Sequence, residues 1–267
     1  MRFHIGGNSV SLFVRACDKP VHGLVMYPMS WLTSIFSTVL FYTGTFVLVF
    51  LMLPISASKR LAPIAGRLWG RFAHRIALVS GITFRCEGEI PAGKQVIYAV
   101  KHQSAWETMV LFWILHDPVI VMKQELMNIP LLGWIFRQTG SIGVNRSAGM
   151  SALKKLKSDA LKALKTGRPL LIFPQGTRVM PRTKAPYQIG VYALYSATGL
   201  PVVPVALNSG SFWPRYGFRK YSGCISLVFL PEIQPGLPRA TFMTTLEKQI
   251  EQATAELEMN THKTRGL

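Results

Sequence analysis

Val96-Ile97-Tyr98-Ala99-Val100-Lys101-His102-Gln103-Ser104-Ala105-Trp106-Glu107 is the stretch that decides the fold. Its first five residues are apolar and rich in β-branched side chains, a short run that reads as a buried strand. A polar step follows, and residues 105–115 then read as a helix. A His at the carboxyl end of a buried strand stands where open α/β sheets place their ligands. Glu107 follows about one and a half helical turns later, so its carboxylate can return towards the imidazole. Bonded to one ring nitrogen, a carboxylate fixes the tautomer and leaves the other nitrogen free to take a proton. Alone, a His–Glu pair near a helix start is more often structural than chemical.

Outward from this stretch the pattern repeats. Residues 82–86, 119–122, 141–144, 170–173, 202–207 and 225–230 join 96–100 as candidate strands. Helical segments are expected near 105–115, 129–137, 151–165 and 190–198, and 241–258 reads as a surface helix carrying Leu246, Ile250 and Leu257 among glutamates. The alternation predicts an α/β fold, a mixed, largely parallel sheet flanked by helices. The strand ends are unusual. The run 170–173 leads into Pro174-Gln175-Gly176-Thr177-Arg178, the run 141–144 into Asn145-Arg146, and Val202-Val203-Pro204-Val205 into Ala206-Leu207-Asn208. Buried runs thus end in His102, Arg146 and Arg178. A Gly and a Thr at a strand end, followed by Arg, suit close backbone approach to an anion that the guanidinium then grips.

The N-terminal part is different in kind. Residues 21–58 contain no Asp, Glu, Lys or Arg. Their centre, 31–53, is roughly 20 mostly apolar residues long, enough to cross a hydrocarbon layer. Thr33, Ser34, Ser37, Thr38, Thr43, Gly44 and Thr45 weaken the run and Pro54 ends it, so a re-entrant hairpin stands beside a span. Arg2, Arg15 and Lys19 precede it, and Lys59, Arg60, Arg67, Arg71 and Arg75 follow. The richer C-terminal flank predicts that the remainder lies on the cytoplasmic side of the inner membrane. Over 61–79, Arg67, Arg71 and Arg75 recur at i, i+4 spacing. That predicts an amphipathic helix at headgroup level, or a core helix with a solvated Arg stripe.

Thirty Lys and Arg against 12 Asp and Glu give a net charge of +18, which calls for an anionic partner. With 49% hydrophobic residues the chain is too apolar for an ordinary nucleic-acid binder, and an anionic membrane is expected instead. Lys154, Lys155, Lys157, Lys162 and Lys165 face anionic headgroups, a carrier, or simply water. Cys17, Cys86 and Cys224 have no metal-ligand spacing, and neither a metal nor a resident cofactor is expected.

Taken together these segments resemble the glycerolipid acyltransferases, specifically the bacterial-type 1-acylglycerol-3-phosphate acyltransferase family. Lys101–Glu107 is similar to that family's N-H-x-x-x-x-D motif, and the segment from Gly140 to Arg146 to its second motif, a Gly followed by apolar residues and a final Arg. Phe173-Pro174-Gln175-Gly176-Thr177-Arg178 resembles F-P-E-G-T-R, and Val202-Val203-Pro204-Val205 the apolar fourth motif around a Pro. Two departures stand out: Glu107 for Asp and Gln175 for Glu. With the apolar run and the arginine stripe read as a membrane anchor and interfacial helix over 1–80, the resemblance implies an enzyme whose acyltransferase domain occupies 81–267. It implies His102 as general base held by Glu107, and a substrate site from Lys101, Arg146, Gln175, Gly176, Thr177, Arg178 and Pro204. The implied co-substrate is acyl-CoA or acyl-carrier protein, and the implied acceptor a lysophospholipid. Two other readings remain: a different lysolipid acceptor, or a non-catalytic basic protein of the membrane surface.

Overall fold

The computed structural model describes residues 3–5, 8–10, 31–91, 93–216 and 218–265. Arg2, Arg15 and Lys19, the basic residues expected ahead of the apolar run, lie outside them. A short antiparallel ribbon, β1 (Phe3–Ile5) and β2 (Asn8–Val10), precedes two helices, α1 (Trp31–Ser56) and α2 (Ala62–Val79). Then come β3 (Ile82–Glu87), β4 (Ile97–Val100), α3 (Ala105–Ile114), β5 (Val119–Lys123), α4 (Leu132–Gln138) and β6 (Ile142–Val144). The chain continues through α5 (Gly149–Leu164), β7 (Leu170–Ile172), α6 (Gly190–Thr198), β8 (Val202–Leu207), β9 (Gly223–Phe229) and α7 (Arg239–Arg265).

The seven main strands lie in the order β3-β9-β8-β4-β7-β5-β6. Every neighbouring pair is parallel except β8 and β9, so the sheet is mixed and largely parallel as expected. β4 sits between β7 and β8, with Ala99 level with Ile172 on one side and Pro204 on the other. Because β4 to β8 run the same way, their carboxyl ends open on one edge of the sheet, where ligands of open α/β sheets bind.

Alternation sorts the core into two faces. Tyr98, Val100, Leu171, Phe173, Val203 and Val205 pack with α2 and α3, whereas Ile97, Ala99, Leu170, Ile172 and Val202 pack with α5, α6 and α7. α7 is therefore no mere surface helix. Phe242, Leu246 and Ile250 are fully buried along one i, i+4 row against the sheet. The segment 129–137 also differs from expectation, because Pro130 holds Ile129 extended (φ −66, ψ 125) and the helix starts only after it. A separate 3-10 turn covers Gln124–Asn128.

α1 is one unbroken helix, long and apolar enough to cross a membrane, with Pro54 in its last turn. The dip-and-return within this segment is thus replaced by a helical pair, α1 and α2. One face of α1 lies on the protein: Ser34, Ser37, Phe41, Val49, Met52 and Ser56 are buried at helical spacing. Near its start, Lys220 Nζ donates to Thr38 Oγ1 at 2.6 Å and Ser37 Oγ at 3.3 Å, while near its end Val49 and Met52 pack with Ala65 and Ile135. The opposite face exposes Trp31, Leu32, Phe36, Tyr42, Phe46 and Leu51.

α2 presses against α3. A Cβ at Gly70 would stand 2.6 Å from the Met109 carbonyl, so only glycine permits the approach. Of the arginine stripe, Arg67 reaches Asp117 at 3.4 Å, Arg71 lies over the Trp113 ring, and Arg75 is exposed. Between them His74 is enclosed by the rings of Phe84 and Trp113, its Nδ1 without a hydrogen-bond partner among the described residues. Burial, then the charge of Arg75, lowers its pKa from 6.5 to about 4. A depressed folded-state pKa means the unfolded chain binds more protons between these values, so stability is complete above pH 6.5 and drains as pH falls towards 4. The expected loss is about 3 kcal/mol at most. Denaturant melts at pH 7 and pH 4.5 check it: His74→Phe should flatten the pH dependence, and an unchanged slope would refute this account.

Candidate active site

The alternation of β4 carries past its last residue. Val100 faces α3, so Lys101 turns to α7, His102 returns to α3, and Gln103 turns to α7 again. The Lys101 N–H still donates to the Val205 carbonyl at 2.9 Å, which keeps the ladder in register up to the site. His102 meets Glu107, its Nδ1 3.0 Å from Oε1, and its ring stacks on Phe173 with centroids 4.1 Å apart. The imidazole keeps 15% of its surface open.

Glu107 is fully buried, and its position follows from helix capping. Ser104 is the N-cap of α3, its hydroxyl accepting from Trp106 N–H, and Glu107 is the third residue of the first turn. In such a capping box the third residue reaches back to the backbone before the helix. Oε1 accepts from Gln103 N–H at 2.7 Å and Ser104 N–H at 2.6 Å, and Oε2 from the Ser209 hydroxyl at 2.8 Å. With Oε1 acting as acceptor, Nδ1 of His102 must donate, which leaves Nε2 as the lone-pair nitrogen. The extra methylene of Glu over Asp is taken up in this reach.

The turn after β7 wraps the same histidine. Gln175 Oε1 accepts from the His102 N–H at 3.3 Å, and the His102 carbonyl accepts from Val179 N–H at 2.8 Å. Gly176 has φ +66, and a Cβ there would lie 2.3 Å from Arg146 Nη2, so the exposed guanidinium rests directly on bare backbone. The second and third strand ends are thereby joined. Thr177 and Arg178 are half-buried on the same turn, whose path is fixed by Arg215 donating to the Arg178 carbonyl. Neither Arg146 nor Arg178 has a carboxylate within ion-pair distance among the described residues. Their charge is left for an anion.

Two expected substrate residues are placed otherwise. Lys101 is buried, with its ammonium 2.7 Å from both oxygens of Glu251 on α7, so it has no reach to a substrate. Pro204 lies inside buried β8, level with Ala99, and is a core residue of the sheet rather than a wall of the site. Gln175 is also buried, linking the His102 backbone to Glu251. Glu251, Glu258, Ser209 and Tyr187 went unread in the sequence. A signal for Glu258 existed: it continues the buried row Phe242, Leu246, Ile250, Thr254 at i+4 steps. Away from this edge, a cavity of about 560 Å³ beside β6 is lined by Lys59, Arg137, Lys155, Lys162 and Arg168, with Asp159 as its carboxylate.

Comparison with known proteins bears on this geometry. Residues 81–208 match the family model described as Acyltransferase. The 1-acyl-sn-glycerol-3-phosphate acyltransferase of Pseudomonas aeruginosa is 37% identical over 204 residues, covering 73% of this chain and 79% of that one. The protein of the same description from Escherichia coli is 24% identical over 168 residues, 62% of this chain and 68% of that one. The crystal structure of the 1-acyl-sn-glycerophosphate (LPA) acyltransferase PlsC from Thermotoga maritima shares the fold, with a TM-score of 0.64 at 22% identity, covering 85% of this chain and 94% of that one.

Proposed function

The chain belongs to the 1-acyl-sn-glycerol-3-phosphate acyltransferase family, and from that premise we propose that it makes phosphatidic acid. In this reading a fatty acyl group passes from acyl-CoA or acyl-carrier protein to the free sn-2 hydroxyl of 1-acylglycerol-3-phosphate. The observation that carries it is the His102–Glu107 pair at a sheet edge where Arg146 rests on Gly176 and Arg178 follows.

Nε2 of His102 takes the proton of the acceptor hydroxyl as its oxygen attacks the thioester carbonyl. The C–O bond forms, the C–S bond breaks, and the thiolate leaves with a proton available from the imidazolium. Glu107 holds the ring in the tautomer that leaves Nε2 free and stabilises the imidazolium once it forms. Arg146 and Arg178 bind the acceptor's phosphate by charge-assisted bonds. Alignment of the two substrates supplies much of the remaining acceleration. No acyl-enzyme is needed.

The exposed apolar row of α1 supports insertion into the inner membrane, with the domain on the cytoplasmic side. Basic groups around the cavity beside β6 support contact with anionic headgroups. The test is an acceptor panel on the detergent-solubilised protein. Arg178→Ala should raise KM for lysophosphatidic acid roughly tenfold or more while leaving phosphate-free lysolipids unaffected. Equal use of phosphate-free acceptors by the unaltered protein would overturn the assigned acceptor.

A further inference from the structure

We propose that Tyr216 and Phe218 form an interfacial foot, seated in the lipid headgroup layer beside α1, which holds the Arg178 turn level with acceptor phosphates in the bilayer. The inference rests on α1 lying in the membrane. Among the described residues the exposed aromatic side chains are Trp31, Phe36, Tyr42, Phe46 and Phe50, all on α1, together with Tyr216 and Phe218, which are 66% and 68% exposed. Large apolar side chains gathered in one region of a surface mark a partner. Here that region is a single helix and the loop that packs on it. Tyrosine suits the headgroup layer in particular, because its ring enters apolar surroundings while its hydroxyl stays wet.

The loop is tied to α1 on one side. The Lys220 N–H donates to Ser34 Oγ at 3.3 Å, and its ammonium bonds Ser37 and Thr38 and lies 4.7 Å from the centre of the Trp213 ring. That ring meets Phe41 edge-on, with centroids 5.6 Å apart. The Phe212 carbonyl accepts from Tyr221 N–H at 2.9 Å and closes the neck of the loop. On the other side the loop is tied to the site. Arg215 lies over the Tyr216 ring at 4.8 Å and donates to the Arg178 carbonyl. At the root, the Ser209 carbonyl accepts from Phe212 and Trp213 N–H, while its hydroxyl donates to Glu107. The depth of the two rings therefore sets the depth of the Arg178 turn. Charge agrees: Arg215, Arg219 and Lys220 lie in a stretch with no Asp or Glu between Asp159 and Glu232, which an anionic leaflet attracts. An acidic carrier protein would match the arginines but not the two bare rings, which extend the apolar exposure of α1.

The test uses the full-length protein reconstituted in vesicles of phosphatidylcholine and phosphatidylglycerol. In Phe218→Trp the added emission should be blue-shifted and quenched by brominated phosphatidylcholine. Tyr216→Ser/Phe218→Ser should still float with the vesicles on α1, yet its KM for long-chain lysophosphatidic acid in the bilayer should rise about tenfold, as apolar contact of two rings is lost. Turnover of a short-chain lysophosphatidic acid dissolved as monomers should not change. An unmoved bilayer KM, or unquenched water-like emission from residue 218, overturns the foot while α1 still floats. A rise confined to the KM for acyl-carrier protein also overturns it and assigns the rings to the carrier. Should the double variant misfold, the Phe218→Trp emission decides alone. A parent protein that does not float overturns the foot and the membrane reading of α1 together. A parent that floats, with residue 218 quenched, but cannot use lysophosphatidic acid leaves the foot standing and overturns the assigned acceptor.

Discussion

His102→Ala is expected to fold normally and to lose acyl transfer by at least ~10²–10⁴-fold, the usual worth of a positioned general base. The bonds that fix residue 102 in the chain are backbone bonds, to Gln175 and from Val179, and alanine keeps both. What goes is the ring stacked on Phe173, worth roughly 0.5–1.5 kcal/mol beyond its burial, together with the nitrogen that receives the proton. Thiol release from acyl-CoA in the presence of lysophosphatidic acid measures the loss, and a melting curve separates it from misfolding. Near-normal turnover in a folded variant would mean the proton goes elsewhere.

Glu107→Ala should hurt twice. The carboxylate is fully buried and receives two backbone N–H groups, the imidazole Nδ1–H and the Ser209 hydroxyl. Each buried donor left without a partner costs about 1–3 kcal/mol, so a stability loss on the order of 3–5 kcal/mol is expected along with the loss of turnover. Glu107→Gln separates the two effects. An amide fills the same space and still accepts the capping N–H groups, so most of the stability returns. It cannot stabilise an imidazolium or enforce the tautomer, so turnover should stay reduced by ~10³–10⁴-fold, the scale known for an orienting carboxylate replaced by its amide. Parallel denaturant melts and turnover assays of both variants decide the matter. Full activity in Glu107→Gln would leave Glu107 as a helix cap and nothing more.

Much of this was legible because it is local. The strand ending at Val100 and the return of Glu107 lie within a dozen positions, so spacing alone allowed the carboxylate to reach the imidazole that it meets at 3.0 Å. The sheet itself was readable from apolar runs bounded by breakers, and its strand ends from the arginines that follow them. The carboxylates of α7 were not readable in this way. Lys101 and Glu251 stand 150 positions apart, and only the packing of α7 across β8 brings them together. A basic residue beside a histidine looks like a substrate clamp until its counter-charge arrives from another element. Pro204 misled for a related reason, since an apolar stretch near a site looks the same whether it lines a cleft or fills a core.

The dependence on α7 also has a consequence for the order in which the polypeptide is made. α1 leaves the ribosome early and presents its apolar face long before Glu251 and Glu258 have been translated. Until those two residues emerge and dock, the loop carrying His102 lacks its contact from Gln103 to α7 and a buried cation lacks its counter-charge. A nascent chain can therefore reach a bilayer before its site is assembled, and turnover would begin only after α7 has been made.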